Sequence, residues 1–395
     1  MLFAILVYFY GDWRGAILAS GDVDYGSIAI FLLSLALVEV FLVFWLQGDL
    51  HLNVYRPKAI VALFIWLLLL CFLRPNLMSS LRNYLSILFT FGTVLFLSSI
   101  IQSLDVLRGL KLIVLSLLTT LGVSVVVHLT MVGPIYFFAH GDIQARVGGI
   151  FFFGLFGALA GLGAVASFVG LICASVKREK VIYVLSMALF LLFLVMSDLR
   201  TGEFAVAISF LVGYSVSTHR PRWLKAGFRV FFVALVFYGA FLIMSPSVPI
   251  IESGNVENDL VWRTLVWDLS ITGIASRPFT GFGGENYLKG NLEGVVLDGN
   301  LADPHSSYLS LILQYGFISL VLFAIVYGGI VYRLFRQAAE GMKVFVCVAI
   351  YWALVSSTGG TYFNGTSGFG QIMFEFSFLG LLCHPQLRSS RETTT

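Results

Sequence analysis

The chain has 395 residues, 58% of them apolar and only 11% charged, with a formal net charge of +3. A soluble domain carries about a quarter charged residues, so a water-soluble enzyme is excluded, and no basic patch of the kind that binds nucleic acid is visible. What remains is an all-α integral membrane protein, a polytopic transmembrane helical bundle read as one domain over 1–395.

In chain order, apolar runs that predict membrane helices lie at residues 26–48, 59–73, 83–102, 110–131, 149–176, 181–197, 204–218, 230–246, 307–332, 344–357 and 369–384. With a further short run at 1–10, the chain has 11–12 spans. Several fall below the roughly 20 residues a straight helix needs to cross, which leaves room for partly re-entrant helices. The first run, MLFAILVYFYGDWRG, has neither a basic n-region nor a small-residue cleavage site, so it reads as a short span rather than a removable signal peptide. Cys71, Cys173, Cys347 and Cys383 lie in or beside apolar runs without CxxC or Cys/His spacing, so neither a zinc site nor a disulfide framework is indicated.

Lys and Arg set the orientation, because they concentrate on the cytoplasmic side of membrane proteins. With the tail inside, the inner segments are HLNVYRPK, DVLRGLK, KREK, HRPRWLKAGFR, RLFRQAAEGMK and the tail itself, and they hold 16 of the 24 basic residues. Turns carrying Arg14, Arg74, Arg82, Arg146 and Arg200 then lie outside, as do the long loop 247–304 and GGTYFNGTSGFG. His305 therefore faces away from the cytoplasm.

The loop over 247–304 differs from the other connections, which are short. It holds eight acidic residues against Arg263, Arg277 and Lys289, and a glycine-rich turn cluster, RPFTGFGGEN. A loop this long inside a compact bundle is characteristically functional. Its VWRTLVWDLSITGIA stretch has helical spacing and the aromatics of an interfacial element.

The loop ends on DPHSSYLSLILQYGFIS. Asp303 suits an N-cap, Pro304 the first helical position and His305 the first turn. In a continuous helix Gly316 falls about three whole turns below His305 on one face, with Ser319 near it. Small residues on one stripe let another helix come close. The positive end of the helix dipole favours neutral imidazole and attracts phosphate, and a neutral histidine beside an anion can act as a general base. An interfacial histidine bonded to a neighbouring carbonyl accounts for the same residues equally well.

His305, Ser306, nine residues, Gly316, two residues and then Ser319 resemble the signature of the O-antigen ligase and polymerase family of bacterial envelope glycosyltransferases; that family has Gly, Thr or Tyr at the last position. WRTLVWDLSITGIASRPFTGFGGENY resembles its "Arg, Trp, hydrophobic helix, Pro-x-x-Gly-x-Gly" segment, SDLRTGEFAVAISF its "Ser-x-x-Arg-Thr" turn, and ARVGGIF its "Arg-x-x-Gly" helix start. The Asn-Pro-Asn that follows the last motif in the family is replaced by FFFG. The likeness covers residues 140 to 330, in order.

What the resemblance implies is metal-independent, cofactor-free, inverting glycosyl transfer at the periplasmic face of the bacterial inner membrane. The donor is an undecaprenyl-diphosphate-linked glycan, and the acceptor is lipid A-core for a ligase or a lipid-linked glycan for a polymerase. Arg200 and Arg263 take the family's donor-binding positions, which suits the match of guanidinium to phosphate oxygens. His305 takes or orients the acceptor proton. Arg146, Ser306 and Trp262 are further substrate-binding candidates, and Gly316 and Ser319 belong to the structural motif.

Other readings of the same residues stay open at this level. An arginine at a helix end commonly snorkels to headgroups, which covers Arg200 and Arg146. An ion-coupled transporter of a small anion requires buried carboxylates, and Glu39 and Glu375 sit inside apolar runs. Yet the chain has neither an inverted repeat nor a pair of Gly/Pro-broken helices to match that class.

Overall fold

A computed structural model describes residues 57–73, 84, 91, 94–95, 97–131, 153–197, 199–217, 259–282, 287–288, 306–336, 338, 340–358, 380–384 and 387. The expected spans at 1–10, 26–48 and 230–246 lie outside the described residues, as do Glu39, Arg146, His305 and Glu375. What is described is helical, without a β-strand among the described residues: the protein is an all-α polytopic membrane protein.

The helices are α1 (Pro57–Phe72), α2 (Val106–Met131), α3 (Phe153–Cys173), α4 (Lys177–Met196), α5 (Arg200–Val216), α6 (Asp259–Ser276), α7 (Ser307–Arg336) and α8 (Val346–Thr358). A 3₁₀ helix over Glu340–Phe345 leads into α8. By length and apolarity Val106–Thr130, Leu155–Cys173, Lys177–Met196 and Ser307–Arg336 are long enough to cross a membrane, while α1 and α8 are shorter apolar helices. The expected run at 204–218 begins earlier, because SDLRT is not all turn: Arg200 is the first residue of α5 and the Glu203 amide already donates to the Leu199 carbonyl.

Helix α3 is the centre of the bundle. Its sequence, FGLFGALAGLGAVASFVGLIC, is built of small residues, and its membrane-length stretch is the most buried of the four. Small side chains leave grooves into which neighbouring rings fit. A side chain at Gly163 would occupy the place of the Phe190 ring, and one at Gly170 that of the Tyr183 ring, which fixes α4 antiparallel to α3. Phe168 stacks on Phe210 of α5 with centroids 4.6 Å apart, and Gly213 of α5 faces Cys347 at the start of α8.

These contacts sort the chain by end. Arg333 near the end of α7 donates to the His384 carbonyl, and the His384 ring reaches the Leu104 carbonyl just before α2, 2.9 Å away. Asp105 caps α2, its Oδ1 accepting from the Leu107 amide at 3.0 Å. The starts of α2, α4 and α8 and the ends of α5 and α7 therefore share one end of the bundle, which carries Arg108, Lys111, Lys177, Arg178, Lys180, Arg336 and Lys343. Arg200 lies at the other.

None of the four cysteines is in a disulfide; three are buried and Cys173 is half-buried.

Candidate functional site

Helix α7 does not run as one rod. Gly316 has φ 77° and ψ 173°, far from helical values, and splits it into Ser307–Tyr315 and Phe317–Arg336. The rings of Tyr308 and Phe323 come within 6.4 Å of each other, although fifteen residues of straight helix separate their backbones by about 22 Å. The first half thus bends sharply out of line with the second. In the angle the Tyr308 phenol donates to the Ala353 carbonyl of α8, and Phe323, Tyr327 and Trp352 stack on one another.

This overturns the expectation of one continuous face running from His305 to Gly316 and Ser319. The start of the helix shifts as well. Ser306 is not helical and stands at the cap position, its Oγ accepting from the Leu309 amide at 3.5 Å and its carbonyl from the Ser310 amide at 2.9 Å. The cap expected at Asp303 is thus taken by Ser306, while Asp303 and His305 themselves lie outside the described residues.

The open helix ends at the break are closed by the turn that follows α6. In an unbroken helix the Phe317 amide would donate to the Leu313 carbonyl. Here it donates to the Pro278 carbonyl at 2.8 Å, and the Leu313 carbonyl accepts from the Phe282 amide at 2.8 Å. One intrahelical bond is replaced by two bonds to the loop, which leaves neither group unsatisfied. The Tyr315 carbonyl, one residue before the break, accepts from the Ser319 hydroxyl at 2.9 Å and from Trp66 Nε1 of α1 at 3.2 Å. Gly316 and Ser319 are thus the break and one of its supports.

Helix α6 packs on the first half of α7 through Val266, Ile274, Ile312 and Leu313, with Leu288 closing the cluster. Trp262 and Arg263 lie in the first turns of α6, and their side chains fall outside the described residues. Beyond α6 the Arg277 guanidinium stands 4.7 Å over the Phe282 ring, which packs on Tyr287. Helix α1 supports the other flank of the half-helix, Leu67 and Leu70 against Leu311 and Tyr315.

Arg200 is exposed at the first position of α5, where its positive charge adds to that of the helix dipole instead of opposing it. The turn before it is seated on α3: a side chain at Gly157 would run into Ser197 Oγ and Leu199. The turn of Arg200 and the cap at Ser306 are each tied toward the middle of α8, the first through α3, whose Ala158 carbonyl accepts from Tyr351, and the second through Tyr308, which donates to the Ala353 carbonyl. Among the described residues no three His, Cys, Asp or Glu side chains converge.

Trp66 and Phe282 were not singled out by sequence reasoning as parts of this site, and Gly281 entered it only as the first glycine of the Pro-x-x-Gly-x-Gly segment. For Gly281 a signal existed: a Pro-x-x-Gly turn facing a lone glycine in an apolar run marks a close backbone approach. For Trp66, inside the uniformly apolar run of α1, there was none.

No curated protein matches the chain. A family model described as O-antigen ligase matches residues 185–324, from within α4 through α5, α6 and the break at Gly316 into the second half of α7. The protein is thus a polytopic membrane protein whose residues 185–324 are similar to the O-antigen ligase family.

Proposed function

We propose that the protein moves a glycan from an undecaprenyl-diphosphate donor onto an acceptor hydroxyl at the periplasmic face of the bacterial inner membrane. It does so as an O-antigen ligase with lipid A-core as acceptor, or as the closely related polymerase with a lipid-linked glycan as acceptor. The observation that carries this reading is the packing of α6, the helix of Trp262 and Arg263, along the half-helix that follows His305, inside the matched region.

In this mechanism Arg263 and Arg200 hold the donor diphosphate, with Arg146 as a third contact and Trp262 beside the sugar. The acceptor oxygen attacks the anomeric carbon from the face opposite the diphosphate. His305 takes the hydroxyl proton, the bond from the anomeric carbon to the phosphate oxygen breaks, and undecaprenyl diphosphate leaves with both electrons of that bond. Attack from the opposite face inverts the anomeric centre. The arginines stabilise the charge that grows on the leaving diphosphate. No step calls for a metal ion or cofactor.

The gathering of basic residues at the end opposite Arg200 supports a cytoplasmic assignment for that end and for the C-terminus, with the loop 247–304 outside. Complementation of a deletion strain tests the reading. Wild type is expected to restore surface polysaccharide and His305→Ala to fail. Long lipid-linked chains accumulating in the variant identify a ligase, and acceptors carrying single repeat units identify a polymerase. Full restoration by His305→Ala would refute the proposal.

A further inference from the structure

The splice between the turn and α7 is reciprocal. Gly281 has φ 61°, and a Cβ there would stand 2.5–2.6 Å from the Gln314 carbonyl group; a Cβ at Gly316 would run into the Phe279 carbonyl. Each glycine faces the backbone of the other's segment. The two hydrogen bonds and the two glycines occupy five residues of the turn and five of α7, so neither segment can slide or reseal without losing all four contacts.

The turn is also continuous with α6. Helix α6 ends at Ser276, and the Gly281 amide still donates back to the Arg277 carbonyl at 3.0 Å. A side chain at Gly273, one turn before the end of α6, would collide with the Tyr287 ring and with Leu313. Helix α6, its turn and Ser307–Tyr315 are therefore joined by backbone bonds and by one apolar cluster, whereas Phe317–Arg336 belongs to the main bundle through Tyr327 and Trp352.

From this we infer that Gly281 and Gly316 are positioning residues for the transfer reaction. The backbone splice holds α6 and the half-helix after His305 as one unit, so the diphosphate-binding and proton-accepting groups keep a fixed separation. This inference rests on the glycosyl-transfer reading for its catalytic half; the splice itself does not. If either glycine gains a side chain, the turn is expelled, the Phe317–Leu313 bond re-forms, and the half-helix swings away from α6.

The test uses the full-length protein. Gly316→Ala, Gly281→Ala, the double variant and Gly328→Ala are compared with wild type and His305→Ala in membrane vesicles from the deletion strain, supplied with its extracted lipid-linked glycan. Gly328 serves as control because a Cβ there meets nothing within 4 Å. The expected result is a loss of rate at saturating donor on the order of 100-fold in each single variant, since a displacement of about 1 Å has that cost. Affinity of the purified protein for undecaprenyl diphosphate is expected to change less than about threefold, so the loss falls on kcat. The double variant is expected to be no worse than the poorer single one, because either substitution alone opens the same splice.

Hydrogen exchange reads the splice without reference to activity. A peptide covering residues 278–284 is protected at the Gly281 and Phe282 amides in wild type and Gly328→Ala, and loses that protection in Gly316→Ala. Unchanged protection in Gly316→Ala would overturn the splice. Wild-type rates in both glycine variants beside an inactive His305→Ala would overturn the positioning role alone, as would additive losses with weakened donor binding. A fully active His305→Ala would refute the glycosyl-transfer reading, with the exchange result still deciding whether the splice exists.

Discussion

Tyr351 of α8 donates its buried hydroxyl to the Ala158 carbonyl of α3, 2.9 Å away, across the groove that Gly161 leaves open. Both the phenol and the groove are needed for α8 to sit this close. Tyr351→Phe removes one buried hydrogen bond and is expected to cost about 1 kcal/mol. Gly161→Leu forces the ring out of a close-packed site, for which about 1–3 kcal/mol or more is expected. Thermal unfolding in detergent is the measurement, and a Gly161→Leu protein as stable as Tyr351→Phe would contradict the packing described.

The Tyr315 carbonyl couples three elements through Trp66 and Ser319. Trp66→Phe and Ser319→Ala each remove one side-chain donor at a cost of roughly 0.5–1.5 kcal/mol. Their combination is expected to exceed the sum by about 0.5 kcal/mol or more, since the two donors share one acceptor. A double-mutant cycle on unfolding midpoints reads this, and strict additivity would mean that the two bonds act independently.

Ser306 caps the half-helix that follows His305. Ser306→Ala is expected to lose about 1 kcal/mol, while Ser306→Asp, which also accepts from amides at a helix start, is expected to keep most of it. Loss of stability in both variants alike would place the role of Ser306 outside capping.

Charge alone does not account for an arginine at the first position of α5, because a helix start disfavours cations. If Arg200 grips a diphosphate with its planar fork, Arg200→Lys keeps the charge but loses the bidentate fit. Both Arg200→Lys and Arg200→Ala are expected to reduce transfer by about tenfold or more, a change of about 1.4 kcal/mol in transition-state binding. Full activity of Arg200→Lys would reduce the residue to a headgroup anchor.

Transfer in vesicles is expected to proceed unchanged with excess EDTA. Activity lost on chelation and restored by magnesium would refute the metal-free step.

Much of the bundle was legible because apolarity sets helix existence. The runs at 59–73, 110–131, 149–176, 181–197 and 344–357 meet α1, α2, α3, α4 and α8 within a few residues. Helix starts were harder, since their register depends on a single side-chain bond. The sequence pointed to Asp303 as the cap, and only the Leu309 amide shows that Ser306 is the one at the start of α7. The break at Gly316 was hidden for another reason. Its neighbours LILQYGFISLVLF are as apolar as any unbroken span, and what opens the helix is a backbone bond from Pro278, far away in sequence. The motif residues Gly316 and Ser319 were identified as a pattern, but their physical task became visible only with that partner in place.

The fold at Gly316 also bears on how the protein fits its bilayer. Thirty residues in one straight rod would measure about 45 Å, about 15 Å more than a typical hydrocarbon core of about 30 Å. Such a helix would have to tilt steeply or thicken the lipid around it. Bent at Gly316, the stretch from Phe317 to Arg336 alone matches the core thickness at about 30 Å, and the surplus length is turned sideways. The protein can thus extend an apolar helix past what the lipid accommodates without hydrophobic mismatch. Straightening it would make the protein favour thicker membranes.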